Sequence, residues 1–116
     1  MKFQVKEKVR KFVNFEETPE VSVLVKGFVD TQYSRALWGV DTENGEELLI
    51  PLTSTLKDLE QEIIEKGDVV AFKYEGEKKS KNGRKYKHVS YTVYKKGKDF
   101  DLDELLKEIG TDEPPF

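Results

Sequence analysis

The 116-residue chain has no cysteine, and only one histidine, one tryptophan and one methionine. Without cysteine there can be no disulfide framework, no thiolate nucleophile and no thiolate metal site. The lone histidine, His88, falls in a strand-like stretch, where a single imidazole is more often structural than catalytic. Neither a phosphate-binding glycine loop nor a nucleophile motif is present. Asp58, Glu60, Glu62 and Glu65 are spaced as the solvated side of a helix, not as a converging acid–base pair. The chain therefore reads as a non-enzyme with no cofactor and no metal. Long apolar runs are missing too. Nothing approaches the roughly 20 apolar residues of a membrane span, and the opening MKFQVKEKVRKF lacks the apolar stretch of a secretory signal. These absences lead us to expect a soluble, cytoplasmic protein without a membrane partner; for a viral protein the compartment would be the host cytoplasm. No internal repeat is visible.

What the chain does have is charge, 37% of its residues, set unevenly along its length. The net charge is only −3, but residues 73–98 hold ten Lys/Arg against two acids, a balance of +8. Residues 41–68 stand at −7 and residues 99–116 at −6. Such asymmetry points to a basic binding surface and an acidic tail.

The length suits a single modest core. Residues 2–15 fit either a short strand or a helix. Residues 21–34 form the first clear strand, with Val21, Val23 and Val25 alternating and Gly27 interrupting as a bulge or bend would. Residues 36–42 and 46–52 flank Asn44-Gly45, a strong hairpin signal. Residues 53–67 read as a helix with Leu56, Leu59 and Ile63, extended by Ile64, on one stripe and Gly67 at its C-terminal left-handed position. Residues 68–75 and 85–96 are two further strands, joined by a basic loop with Asn82-Gly83 as its turn. Residues 101–109 are a short helix with a capping box from Asp101 to Glu104, an apolar face of Leu102, Leu105, Leu106 and Ile109, and Gly110 as its stop.

Three strands, a helix and two strands, with a long first strand bent at glycine, make a mainly β plan. It is the plan of the OB-fold, a five-stranded Greek-key barrel that binds oligonucleotides or oligosaccharides, with the one helix between strands three and four. The rival is another small barrel or an open α+β sheet. The expected division is residues 1–98 as the OB-fold nucleic-acid-binding domain and 99–116 as an acidic helix and tail.

On that plan Lys78, Lys79, Lys81, Arg84 and Lys87, framed by Tyr74 and Tyr86, lie on or beside the loop between strands four and five. Lysine and arginine can follow a phosphate backbone while adjacent tyrosines stack on bases. The blander reading is a solvated hairpin tip whose lysines protect an edge, but one-signed charge next to aromatics favours binding. Lys26, Phe28, Tyr33, Arg35 and Trp38 join the candidates from strands one and two and the loop between them. Parity divides them. Trp38 shares a face with Ala36 and Val40, so it is either core or stacking platform, and Lys73 and Tyr74 cannot both meet a ligand within a regular strand.

The last residues, Asp112, Glu113, Pro114, Pro115 and Phe116, carry a resemblance. Behind a basic OB-like region, they are similar to the acidic tip, ending in Phe, of the bacterial and phage single-stranded-DNA-binding proteins. The resemblance is specific over those five residues and looser over 21–96, and the long linker usual in that family is missing. It implies sequence-independent binding of single-stranded DNA in replication, recombination or repair, in a chain of phage-like compactness. It further implies that the tip docks replication or recombination proteins and competes with DNA for the basic groove. Homo-oligomerisation is left open. An OB-fold protein-interaction module and an RNA-binding protein are the alternatives.

Overall fold

The structure is a computed structural model that describes residues 11–32, 34–52 and 54–110. Its centre is a six-stranded sheet. In chain order the strands are β1 (Lys11–Phe12), β2 (Glu20–Asp30), β3 (Arg35–Asp41), β4 (Glu47–Pro51), β5 (Val69–Lys79) and β6 (Lys85–Tyr94). They lie in the order β1-β4-β3-β2-β5-β6. All pairings are antiparallel except that of the two-residue β1 with β4. Among the described residues no pairing joins β6 back to β4, and the sheet is open. A mainly β fold with five antiparallel strands is thus present, as the sequence led us to expect.

β2 organises the sheet. Its alternating valines, Val21, Val23 and Val25, all turn to one core cluster, as suits a pleated strand. The strand pairs with β3 over Val23–Asp30 and with β5 over Glu20–Leu24, and its register with β3 shifts between Val25 and Gly27. The expected bulge at the glycine is therefore real. It lets one strand serve two partners at different angles.

The two faces of the sheet bury different things. On the inner face Val21, Val23, Val25, Leu37, Leu48, Ile50, Val70, Phe72 and Val89 form the main core with Leu52, Leu56 and Leu59. On the outer face Leu24, Val40 and Val69 pack against Leu106 of α1 (Leu102–Ile109). Burial on both faces explains why Leu24 on β2 and Val40 on β3 are apolar as well as the residues of the inner face. Gly39 is required where these layers crowd. A Cβ there would stand 2.3 Å from the Leu24 carbonyl oxygen and 2.4 Å from Val23 Cγ1.

α1 forms where its signals predict. Asp101 is its N-cap, accepting a hydrogen bond from the Asp103 N–H at 2.9 Å, and Gly110 closes it at φ 91°, donating to the carbonyls of Leu106 and Lys107. The cap bonds the Asp103 N–H, two residues on, where the capping box would have used that of Glu104.

Two expectations need correction. Residues 53–67 are not an α-helix: a 3₁₀ helix spans Ser54–Gln61, and the chain then turns irregularly to Gly67. Leu56 and Leu59 are both buried and three residues apart, one turn of a 3₁₀ helix. Ile63, expected on the same stripe, is 82% exposed, and Ile64 packs on the core instead. The basic loop is also shorter than expected. After a register shift between Tyr74 and Glu77, β5 continues to pair through Glu77↔Lys87, Lys78↔Tyr86 and Lys79↔Lys85. Only Ser80–Arg84 turn, closed by the Ser80 N–H on the Arg84 carbonyl at 2.8 Å. Both faces of this extension lie beyond the core, so no apolar alternation announces it as strand.

Candidate nucleic-acid interface

The predicted contact residues fall into three groups. The first lies on the β5–β6 hairpin, which leaves the sheet beyond the Glu20 end of β2, since Glu20 pairs with Lys73. Lys79, Lys81, Arg84 and Lys85 are all exposed, and none makes an ion pair among the described residues. They concentrate positive charge at the tip and the last strand pair before it. The remaining two bases of the arm have partners: Lys78 Nζ stands 3.7 Å from Glu75 and Lys87 Nζ 2.7 Å from Glu16. The Glu16 carboxylate holds the Lys87 ammonium above its ordinary pKa.

Pairing parity then sorts the arm by face. Tyr74 packs against the inner core, with Val89 opposite it. Lys73 is exposed on the outer face, opposite Ser90. Tyr86 and His88 follow one another on that same face, their rings edge-on with centroids 6.2 Å apart. Of the two tyrosines that frame the basic stretch, only Tyr86 is therefore available to a ligand on the outer face.

The second group is Lys26 and Trp38. Lys26 is buried at 7% exposure. Its Nζ is 2.6 Å from Glu47 and lies 4.5 Å above the centre of the Trp38 ring. A lysine with both a carboxylate and an aromatic face is neutralised in place, and its position covers the ring that would stack on a base. Trp38 is half-buried on the outer face, opposite Gly27 on β2 and Leu49 on β4. As Trp38 is the only tryptophan, its emission reports this spot alone. Oligo-dT is expected to quench it weakly. A deep quench would mean that a base displaces Lys26 and stacks there.

The third group, Phe28 and Arg35, lies at the opposite end of β2, where Asp30 pairs with Arg35. Phe28 packs on the inner core. Arg35 sits 6.0 Å over its ring, bonded to Asp30 at 2.9 Å and to Glu60. These carboxylates, Asp30 foremost, hold the guanidinium above its ordinary pKa. Arg35 thus ties the β2–β3 corner to the 3₁₀ helix. Tyr33, and the tip Asp112, Glu113, Pro114, Pro115 and Phe116, lie outside the described residues.

The acids have their own place. Glu17, Glu20, Asp41, Glu43 and Glu46 line a cleft of about 330 Å³ with Phe12, Val13 and Leu48. Glu20 opposite Lys73 puts this cleft beside the base of the hairpin. A polyanion held at the tip would be repelled by the cleft, which confines it to the arm. Among the described residues no group of three or more His, Cys, Asp or Glu could hold a metal ion. No described helix is long and apolar enough to cross a membrane.

Sequence reading missed Asp68 and Lys95 altogether. The Asp68 side chain is fully buried and paired with Lys95 Nζ. It also accepts from the backbone N–H groups of Glu65 at 2.9 Å and Lys96 at 3.2 Å. Nothing local marks this pair, because its members are far apart in sequence. No protein-family model, no curated protein and no solved structure matches the chain.

Proposed function

We propose that this chain binds single-stranded nucleic acid, DNA in the first place, without sequence preference, and does so through the β5–β6 hairpin. The observation that carries this reading is the cluster of Lys79, Lys81, Arg84 and Lys85, exposed, free of ion pairs among the described residues and next to the outward-facing Tyr86. Mobile cations on a projecting ribbon match the spacing of a flexible phosphate backbone, and one aromatic beside them offers a base a sequence-tolerant stack worth about 1–3 kcal/mol.

The strand order supports an OB-like reading of the sheet. With β2 to β6 counted as strands one to five, one pairs with two and four, two with three, and four with five. The 3₁₀ helix falls between strands three and four. These are the neighbours of a five-stranded Greek-key barrel opened between its third and fifth strands. The resemblance to single-stranded-DNA-binding proteins argues in the same direction, towards replication, recombination or repair.

The test is titration of labelled oligo-dT at several salt concentrations. With about five phosphates neutralised, log affinity falls against log salt with a slope of about −3.5. Salt-insensitive binding, or a preference for duplex, would overturn the reading. Oligo-dT that fails to bind while the chain captures a protein through the same lysines would favour a protein-interaction module. Equal affinity for oligo-U would extend the ligand to RNA.

A further inference from the structure

Two of the chain's asparagines, Asn44 and Asn82, stand directly before a glycine. An asparagine in that position is prone to lose its side-chain amide. The glycine has no side chain to hinder its own backbone nitrogen from attacking the neighbouring side-chain carbonyl carbon. The fold treats the two sites differently. At the first, both reacting groups are held. Asn44 Oδ1 accepts from the Glu46 N–H at 2.9 Å, and the Gly45 N–H donates to the Asp41 carbonyl at 2.9 Å. Ile109 of α1 also stands close, its Cγ2 3.3 Å from where a Gly45 Cβ would lie. At the second, the Gly83 N–H donates to the Ser80 carbonyl at 2.9 Å, but among the described residues no hydrogen bond restrains the exposed Asn82 amide. Apart from its chain neighbours, nothing lies within 4 Å of the place of a Gly83 Cβ. The last strand pair before the tip is Lys79↔Lys85, so opening the Gly83–Ser80 bond disturbs the turn and no core.

We infer that Asn82 is a spontaneous modification site, at which deamidation sets a carboxylate among the free cations of the tip and weakens nucleic-acid binding as the protein ages. Hydroxide takes the Gly83 N–H proton, and the nitrogen attacks Asn82 Cγ. The new C–N bond closes a five-membered succinimide while the C–N bond of the side-chain amide breaks. The departing nitrogen takes a proton from water and leaves as ammonia, which restores the hydroxide. A water molecule then opens the ring. Breaking the bond to the side-chain carbonyl gives aspartate. Breaking the bond to the backbone carbonyl gives isoaspartate, with the main chain rerouted through the side chain. One water enters, one ammonia leaves, and nothing is oxidised or reduced. Lys81 and Arg84 flank the site and favour the anions that form on the nitrogen and on the carbonyl oxygen.

Either product puts one negative charge among Lys79, Lys81, Arg84 and Lys85, all exposed. The isoaspartate also lengthens the main chain inside a turn that the Ser80 N–H closes on the Arg84 carbonyl at 2.8 Å. Cancelling one cation removes one phosphate contact. Affinity for oligo-dT is then about fivefold lower at about 0.1 M salt, with a salt slope shallower by about 0.7. This consequence rests on the hairpin reading above, whereas the chemistry at Asn82 does not.

The experiment ages the intact chain in mildly alkaline buffer at physiological temperature and maps its peptides by mass spectrometry. Asn82 is expected to convert, with isoaspartate among the products, and Asn44 to lag about tenfold because it needs a further hydrogen bond broken. The aged form, separated by its extra negative charge on ion exchange, is then titrated with oligo-dT beside fresh protein, Asn82→Asp and aged Asn82→Gln. The aged form and Asn82→Asp are expected to share the weaker affinity. Asn82→Gln is expected to keep the fresh affinity after ageing, because its longer side chain would close a less favoured six-membered ring. Thermal melting should not change, since the tip lies beyond the core. An Asn82 that survives ageing, or an Asn44 that converts first, overturns the inference. Conversion at Asn82 with unchanged oligo-dT affinity overturns its binding consequence. If fresh protein does not bind oligo-dT, the hairpin reading falls and takes that consequence with it, while the peptide map still decides the modification.

Discussion

Replacing Lys79, Lys81, Arg84 and Lys85 together with glutamine is expected to lower oligo-dT affinity about 10²- to 10³-fold near 0.1 M salt. Each cation that neutralises a phosphate contributes about 0.7 to the salt slope, so the loss of four removes about 2.8 from a slope near −3.5. These four side chains are exposed and make no ion pair among the described residues. Their loss should therefore leave thermal stability within about 0.5 kcal/mol. That contrast is the value of the variant: a large change in binding with an unchanged melting temperature. Neutralising Lys26 and Arg35 instead is expected to do the reverse, because one is buried against Glu47 and Trp38 and the other bridges Asp30 and Glu60. If the hairpin variant loses less than about tenfold, the phosphates lie elsewhere on the molecule.

Asp68→Ala is expected to destabilise the fold by about 3 kcal/mol, seen as a melting temperature lower by about 10 °C. The Asp68 side chain has no exposed surface, and its loss strands the Lys95 ammonium and the N–H groups of Glu65 and Lys96. Breaking a buried pair costs about 3–5 kcal/mol. The lower end applies because the Lys95 side chain is 31% exposed and water can solvate the abandoned charge. Asp68→Asn, which keeps an acceptor and the shape but loses the charge, is expected to cost about half as much.

The same pair sets an acid limit on stability. Burial pushes the Asp68 carboxyl up, but Lys95 and the two backbone N–H groups outweigh it and hold its pKa below the ordinary value. The unfolded chain binds that proton more readily. The contribution of Asp68 is therefore fully present above the unfolded carboxyl pKa of about 3.9 and is lost as pH falls through the lowered folded value. Asp68→Ala should flatten this acid limb in a series of melts below about pH 4, besides lowering the whole curve. An unchanged limb would assign the acid sensitivity to other carboxylates.

These two results separate binding from folding, and the hairpin joins them. β5 carries the tip at one end and begins beside Asp68 at the other, while β6 returns to Lys95 just past Tyr94. The Asp68–Lys95 pair thus holds the two arms together at the root of the projecting ribbon. The acidic cleft lies nearer the tip and the pair lies farther from it, so charge at each level of the hairpin has a distinct task.

Much of the local structure was legible in the sequence because its causes are local. The alternation of Val21, Val23 and Val25, the turns at Asn44-Gly45 and Asn82-Gly83, and the Asp101 and Gly110 caps of α1 each act over a few residues. The concentration of positive charge in residues 73–98 was equally plain. What each charge does was not. Lys26 and Arg35 read as cations available to phosphate, yet their partners Glu47 and Glu60 come from other elements. The same holds for Asp68 with Lys95 and His88 with Glu75. Even the length of β5 depended on its partner, since the strand past Tyr74 exists through pairing with β6 and not through any apolar pattern. The sequence by itself determined the strands, their turns and the sign of the charge on the hairpin. Tertiary structure alone decided which charges are consumed within the fold and which stay free for a ligand, because neutralisation and burial depend on neighbours brought together from distant parts of the chain.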